Sequence, residues 1–325
     1  MRTSVAMCTY NGEKYIKEQL ESILNQSLSI DEIIICDDGS NDKTLAIIEK
    51  VQLQYPNRIA LYKNEINLGS TKNFENTIAI CSGDFIFLSD QDDVWKTNKV
   101  KKIIQYFLNN PSTEAVFSNG DLINDKNEKI NNNTLWDSVF FMENQLEKPI
   151  NLFKLISSKR NMVTGATLCI KKEIKELILP FPEIKKYYHD EWIAIIIASR
   201  KKLDYISDEL ISYRIHSKQQ IGGKSNIQKG ITQKHIKLSN YILGKTNPKS
   251  YQDFNLLSKT YFRNYLKFKN VSENTKNGTP INFKEIANSN LELFIKYNDL
   301  QKKANPFLYF FKNLTDRIRG KRQLN

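Results

Sequence analysis

Three carboxylates crowd into four positions at Asp90-Gln91-Asp92-Asp93, directly after the apolar run Phe85-Ile86-Phe87-Leu88. Carboxylates held close together repel, and desolvating them is costly unless a cation compensates. Oxygen ligands suit Mg²⁺ or Mn²⁺, ions that keep waters and take one or two carboxylates together with substrate phosphates. The plainer reading of the run is a solvated acidic turn ahead of the helix beyond Lys96. Two other apolar runs end in polar clusters: Ser4–Cys8 at Thr9-Tyr10-Asn11-Gly12, and Glu32–Cys36 at Asp37-Asp38-Gly39-Ser40.

The elements that must position these clusters are legible by period. Tyr15, Ile16, Leu20, Ile23 and Leu24 recur at helical spacing, as do Leu45, Ile48 and Val51, then Phe74, Ile78 and Ile80. Ile59-Ala60-Leu61-Tyr62 is a third strand, and a helix over 97–108 precedes a strand at Ala115-Val116-Phe117. Strands without polar alternation, separated by helices, predict a mostly parallel sheet covered on both faces. In such sheets ligands sit beyond the carboxyl ends of the strands. All three polar clusters lie at carboxyl ends, so periodicity alone predicts a nucleotide-type site there. Residues 121–163 read as loop-rich. Regular structure returns over 164–215, with a strand near Ala166–Ile170, a helix from about Asp190 to Ser199, and strands near Asp204–Ile206 and Leu210–Tyr213. Beyond 224 helical patterns recur, as at Tyr261–Phe268 and Leu291–Leu300.

Composition bounds the class. The 325 residues suffice for one large domain and an accessory region. Cys8, Cys36, Cys81 and Cys169 are scattered with no CxxC pair, which points away from zinc and from a disulfide framework and toward a reducing compartment. Met1-Arg2-Thr3-Ser4-Val5 enters a strand at once, leaving no room for a signal peptide, and no apolar stretch is long enough to span a bilayer. The charge is uneven: residues 224–325 hold 20 Lys/Arg against 6 Asp/Glu, so the net +12 of the chain belongs to its last third. That asymmetry calls for an anionic partner, a membrane surface before a nucleic acid.

Taken in order, Ser4–Gly12, Ile35–Asp42, Asn67-Leu68-Gly69, Gly83–Ile86, Asp90–Trp95, His189-Asp190-Glu191-Trp192 and Tyr213–His216 resemble the family 2 glycosyltransferases of the GT-A fold. The resemblance covers about residues 1–223. Within the family, the Asp-Gln-Asp-Asp-Val-Trp and His-Asp-x-Trp forms are most similar to the rhamnosyltransferase-like enzymes of bacterial surface polysaccharide synthesis. It implies an α/β GT-A domain over 1–223, a mostly parallel sheet flanked by helices, followed by a basic, mainly helical region over 224–325. The implied reaction is transfer of a sugar, rhamnose or a hexose, with inversion at the anomeric carbon. The implied donor is a UDP- or dTDP-linked sugar, and the implied acceptor is a polyprenyl-diphosphate-linked glycan.

By the same resemblance Asp92 is the metal-binding aspartate and Asp90 supports ribose or metal. Asp93 either supports the metal ligands from behind or caps the following helix. Asp38 matches the acceptor of the N3–H of uracil or thymine, with Asp37 and Asp38 as caps of the following helix on the plainer reading. Thr9, Tyr10 and Asn11 match the first nucleotide-contacting turn, with Tyr10 stacking on the base or packing in the core. Lys72 reaches the diphosphate or is a solvated helix lysine. Inversion in one step needs a general base; Asp190 matches it, and Glu191 is the competing candidate because an aromatic residue commonly follows the family's aspartate. His189 borders the acceptor pocket. His216 stands where the family places a metal ligand or diphosphate contact, and Arg214 offers a fork suited to phosphate. Gln219 and Gly222-Gly223 suggest a loop that closes over the donor.

Near the C-terminus Pro306-Phe307-Leu308-Tyr309-Phe310-Phe311-Lys312-Asn313-Leu314 precedes Arg317, Arg319, Lys321 and Arg322. Apolar rings beside cations suit an interfacial helix on an anionic bilayer, which predicts a cytoplasmic protein peripheral to the inner face of the plasma membrane. An ordinary packed helix with a solvated lysine face is the alternative. Two other functions compete with the transferase: a non-catalytic nucleotide-sugar module, which would bind donor without turnover, and a nucleic-acid binder, which would leave the three carboxylate-bearing strand ends unexplained. No nucleic-acid partner is expected.

Overall fold

A computed structural model describes residues 1–216, 229–275 and 279–318. The chain divides into two compact units, one of residues 1–143, 162–181 and 185–228, the other of 144–161, 182–184 and 229–325. Residues 144–161 thus group with the C-terminal part, whereas the sequence reading keeps all of 1–223 together.

The first unit carries nine strands and seven helices among its described residues: β1 (Thr3–Thr9), α1 (Ile16–Leu24), β2 (Glu32–Asp37), α2 (Thr44–Gln52), β3 (Ile59–Lys63), α3 (Ser70–Ile80), β4 (Phe85–Ser89), β5 (Val94–Trp95), α4 (Lys99–Asn109), β6 (Ala115–Ile123), β7 (Lys129–Thr134), α5 (Leu135–Ser138), β8 (Leu168–Lys171), α7 (Lys175–Ile178) and α8 (His189–Ser199), closing on β9 (Leu203–Arg214), with 3-10 turns at Gly165–Thr167 and Lys172–Ile174. The helix between α5 and α7, α6 (Leu152–Ser158), belongs to the second unit together with α9 (Lys229–Leu243), α10 (Tyr251–Asn274), α11 (Phe283–Ala304) and α12 (Pro306–Ile318).

The sheet runs β3-β2-β1-β4-β8-β6-β9-β5, with β7 beside β6. β3, β2, β1 and β4 are parallel, as their unbroken apolar runs predict. Val5, Met7, Ile33 and Ile35 are fully buried and pack with Ile16, Leu20, Ile23 and Ile48 of the covering helices. Past β4 the sheet is mixed: β8 is antiparallel to β4 and β6, β9 is parallel to β6, and β5 is antiparallel to β9. The stretch 121–163, read from sequence as loop, holds the end of β6, the β7 strand, a capping box of Thr134 and Asp137 that starts α5, and α6. Asn131-Asn132-Asn133 disguised β7, since polar side chains suit a strand that pairs on one side and faces water. The two strands expected at 204–206 and 210–213 are one, irregular in register between Ser118 and Asp121 of its partner.

This topology builds the site. The chain leaves β4 in mid-sheet and next pairs at the far edge, with Val94 opposite Ser212 and Trp95 opposite Ile211. Asp90–Asp93 therefore bridge to β9, and continuing that antiparallel register sets Asp92 against Arg214.

In the second unit α10 and α11 form a long antiparallel pair. Ser250 and Asp253 cap α10 with a reciprocal capping box, and Phe262 packs on Phe294 between the two helices at 4.8 Å.

Candidate active site

The carboxyl ends of β1, β2 and β4, with the start of α8 and the end of β9, enclose a cavity of about 1210 Å³ in the first unit. It exceeds the roughly 300–1,000 Å³ of pockets for single small ligands. Among the residues singled out from sequence, Thr9, Tyr10, Asn11, Asp38, Asp90, Asp92, Asp190 and His216 line it, as does His189.

On one side most of the polar groups are committed to one another. Thr9 Oγ1 and Ser40 Oγ donate to Asp37 Oδ2 at 2.7 and 2.6 Å, and the Ser40 amide donates to Asp37 Oδ1 at 2.8 Å. Asp37 thereby closes the turn after β2 rather than capping α2, which begins at Thr44. Asp38 fastens the next loop: its Oδ1 accepts from the Leu68 amide at 2.8 Å and from Asn64 Nδ2 at 2.9 Å, and its Oδ2 accepts from the Gly69 amide at 2.9 Å. With one donor on Oδ2, one acceptor position there is open to a ligand N–H. Asn11 holds a left-handed turn (φ 50°) by accepting from the Asn41 amide and giving its own amide to Ser40 Oγ, both at 2.8 Å.

Gln91, to which the sequence reading gave no role, ties this side to the acidic run. Its amide oxygen accepts from Tyr10 N at 2.8 Å, and its Nε2 donates to Tyr10 O at 3.0 Å. A Cβ on Gly12 would stand 2.3 Å from that amide oxygen, so only glycine admits the clamp.

The acidic run itself is underserved with donors. Asp92 Oδ2 lies 2.9 Å from His216 Nε2, both largely buried. Asp93 is 1% exposed; Oδ1 accepts from the Arg214 amide at 2.9 Å while Oδ2 has no hydrogen-bond partner. Burial first, then the charges of Asp92 and Asp90, push Asp93 well above the usual carboxylate range. Asp90 is raised to about 7 by burial, then by Asp92 and Asp190. The cation behind them is Lys99, fully buried, donating to the Ala166 carbonyl at 2.8 Å and standing 3.9 Å over the Trp95 ring. Burial pulls it down to about 7 against the opposing pull of Asp93, Cys169 and Asp90. The sequence held its signal: Lys99 falls in line with Ile103 and Phe107 on the buried face of α4.

Two expected phosphate contacts lie elsewhere. Arg214 is 1% exposed and does not line the cavity. Its Nε donates to the Asp92 carbonyl at 2.7 Å, its NH1 group to Asn124 O and Asn127 Oδ1, and its NH2 group to Glu18 at 2.8 Å. The guanidinium also covers the Tyr15 ring at 4.5 Å. Arg214 therefore positions the Asp92 backbone. Lys72 pairs with Glu75 one turn along α3, whose other oxygen accepts from the Phe181 amide at 2.8 Å. The lysines that do line the cavity are Lys14 and Lys43.

At the start of α8, Asp190 lines the cavity and Glu191 does not. Asp190 Oδ1 accepts from the Glu191 amide at 2.7 Å. The preceding His189 stacks on Phe74 at 4.0 Å, and neither ring nitrogen has a hydrogen-bond partner. Burial pulls it down to about 3, so the imidazole is neutral. A Cβ at Gly165 would fall 2.6 Å from His189 Nε2, so that glycine makes room for the ring. Gln219 and Gly222-Gly223 lie outside the described residues, as do Arg319, Lys321 and Arg322.

No cluster of three or more His, Cys, Asp or Glu able to cage a metal occurs among the described residues. Asp92 with His216 suits the other mode of Mg²⁺ or Mn²⁺ binding, one or two side chains completed by phosphate oxygens and water.

Residues 4–164 match the family model for glycosyl transferase family 2. An uncharacterized glycosyltransferase of Methanocaldococcus jannaschii is 32% identical over 229 residues, 70% of this chain and 75% of that protein. A dTDP-rhamnosyl transferase of Shigella flexneri is 42% identical over 108 residues, 32% of this chain and 37% of that protein. The mannosyltransferase of Pyrobaculum calidifontis, solved with GDP-Man and Mn²⁺, superposes with a TM-score of 0.50 at 14% identity, covering 98% of this chain and 79% of the other. The fold is thus the GT-A fold of nucleotide-sugar-binding neighbours.

Proposed function

Because the chain belongs to the family 2 glycosyltransferases, we propose that its first unit transfers a sugar from a nucleotide diphosphate donor to an acceptor hydroxyl with inversion. The observation that carries the reading is that Asp92 with His216, and Asp190, line one cavity. Asp190 takes the proton of the acceptor hydroxyl as its oxygen bonds to the anomeric carbon and the bond from that carbon to the diphosphate breaks. A divalent ion, Mg²⁺ or Mn²⁺ held by Asp92 and His216 with Asp90 nearby, would stabilise the negative charge of the departing diphosphate. Asp38 receives the base through its remaining acceptor position. Thr9, Tyr10 and Asn11 shape the turn that carries the nucleoside. Asp190 is preferred to Glu191 as the base because only Asp190 faces the cavity.

The donor is a UDP- or dTDP-linked sugar and the acceptor a polyprenyl-diphosphate-linked glycan of surface polysaccharide synthesis. The partial likeness to a dTDP-rhamnosyl transferase supports the rhamnosyl option. No described helix is long and apolar enough to cross a membrane. α12 exposes Phe307 (70%), Phe310 (63%) and Phe311 (51%) beside Lys312, which supports peripheral binding of the second unit to an anionic bilayer.

The test is nucleoside diphosphate release across a panel of UDP- and dTDP-sugars with Mn²⁺ or Mg²⁺, for the natural chain, Asp92→Asn and Asp190→Asn. Metal-dependent release from one donor, lost in both variants, is expected. Donor binding without release, in the presence of polyprenyl-diphosphate-linked acceptors, would leave a binding module instead.

A further inference from the structure

A relay of two asparagine amides serves the carboxylate of Asp38. Asn64 follows β3, and its main-chain N–H extends the pairing with β2 by donating to the Asp37 carbonyl at 2.9 Å. Its side-chain Nδ2 donates in two directions, to Asp38 Oδ1 at 2.9 Å and to Asn73 Oδ1 at 3.0 Å. Asn73 is buried on α3 and gives its own Nδ2 to the Cys36 carbonyl at 2.8 Å. Turning the Asn73 amide over would set oxygen against the Cys36 oxygen and nitrogen against the Asn64 nitrogen. The direction of both amides is therefore fixed from β2 outward.

A carboxylate offers about four acceptor positions, two on each oxygen. The Leu68 and Gly69 amides take one on each oxygen of Asp38, at 2.8 and 2.9 Å. Those two alone would leave Oδ1 and Oδ2 equally open, and a ligand N–H would dock in either of two registers. Asn64 fills the second position on Oδ1, which leaves one position, on Oδ2. The terminal torsion of an aspartate is soft, so it is such donors that hold the carboxylate in one orientation. Asp38 and Asn73 line the cavity and Asn64 does not, so Asn64 acts on a ligand through Asp38.

We propose that Asn64 and Asn73 are positioning residues that set the base selectivity of the donor site, by leaving Asp38 a single acceptor position for a ring N–H. It rests on Asp38 receiving the base of a nucleotide donor. Uracil and thymine present an imide N3–H on their pairing edge. Cytosine presents a lone pair at that ring atom, which the carboxylate repels, and its N–H donors belong to the amino group displaced along the edge. With one acceptor position the cytosine ring has no second register to shift into. With Oδ1 half empty it gains one, and uracil loses its unique seat.

The experiment is calorimetric titration of the full chain with UDP, dTDP and CDP in the presence of Mn²⁺. The natural chain is expected to bind the better of UDP and dTDP roughly tenfold more tightly than CDP, or more. Asn64→Ala and Asn73→Leu should each bring that ratio down to about threefold or less, mainly by weakening the preferred nucleotide. Asp92→Asn, which acts at the diphosphate, should weaken all three and leave their ratio unchanged. A ratio preserved in Asn64→Ala overturns the proposal and leaves the transferase reading standing. So does an equal loss for all three nucleotides, the mark of a purely structural role. Equal binding of the three by the natural chain overturns the proposal as well, and binding of none removes the nucleotide-donor reading with it. Should circular dichroism find Asn73→Leu unfolded, Asn64→Ala decides, since Asn64 is only half-buried.

Discussion

Two strand ends in the same sheet carry adjacent acidic residues and treat them in opposite ways. After β2, both carboxylates are surrounded by donors: five of the protein's own N–H and O–H groups point at Asp37 and Asp38 from Thr9, Ser40, Leu68 and Gly69, and Asn64 adds another. After β4, Asp93 Oδ2 is buried with nothing to accept; burial and then the charges of neighbouring aspartates push Asp90 (Asp92, Asp190) and Asp93 (Asp92, Asp90) upward. The first arrangement holds the loops in shape with the protein's own donors and leaves one acceptor position of Asp38 open. The second leaves buried carboxylates short of donors, with the buried Lys99 as the cation beside them. Perturbed carboxylates grouped in a cleft are where function is expected, so equal-looking acidic pairs in the sequence separate into scaffold and chemistry only once their donors are counted.

The sharpest way to break this comparison is catalytic. Removing the base by Asp190→Asn should lower the transfer rate by about 10²–10⁴-fold. Asp92→Asn should lower it by about 10²–10³-fold by weakening charge stabilisation at the diphosphate. Both are read by nucleoside diphosphate release. Mn²⁺ with nucleoside diphosphate should raise the melting point of the natural chain through preferential binding to the folded state and fail to do so in Asp92→Asn. A full-rate Asp92→Asn enzyme would put the acidic run back among solvated turns.

Much of this was legible before any coordinates. The four parallel strands announced themselves as apolar runs, and their carboxyl-end clusters met at one cavity because parallel strands present all such ends on one edge. What the sequence hid depended on partners distant in the chain. Arg214 looked like a phosphate fork, but the pairing of β5 with β9 turned it inward onto the Asp92 carbonyl and Glu18. Lys72 looked like a diphosphate contact until Glu75 was found one turn away. Gln91 stands inside the motif as a neutral amide between aspartates, which signals nothing until Tyr10 and Gly12 are placed against it. Lys99 was discoverable, as a lysine at an apolar position of an amphipathic helix. Residues 144–161 join the second unit by packing that no local pattern encodes.

Stability should separate the two strand ends by sign. Asp38→Asn turns a donor toward the Gly69 amide and is expected to cost about 2 kcal/mol. Asp93→Asn keeps the acceptor for the Arg214 amide and removes a charge that burial and neighbours oppose. It should be neutral to stabilising, by up to about 1 kcal/mol at pH 8. Urea unfolding of the two variants beside the natural chain measures both. If the two substitutions destabilise equally, the distinction between donor-rich and donor-poor clusters is wrong.

The smallest effect concerns His189, which stands on the donor-poor side with both ring nitrogens unpartnered. Its folded value of about 3 lies below the roughly 6.5 of a free imidazole. Between those values the unfolded chain binds a proton that the folded chain refuses. Stability due to this group is therefore full above about pH 6.5 and drains away as pH falls toward 3. Urea midpoints of the natural chain and His189→Gln, followed from pH 7.5 to 4.5, should converge or cross as the natural chain loses the steeper share, because glutamine takes up no proton. Parallel curves would mean that the ring takes up its proton in the folded protein as readily as in the unfolded chain, and that burial does not hold it neutral.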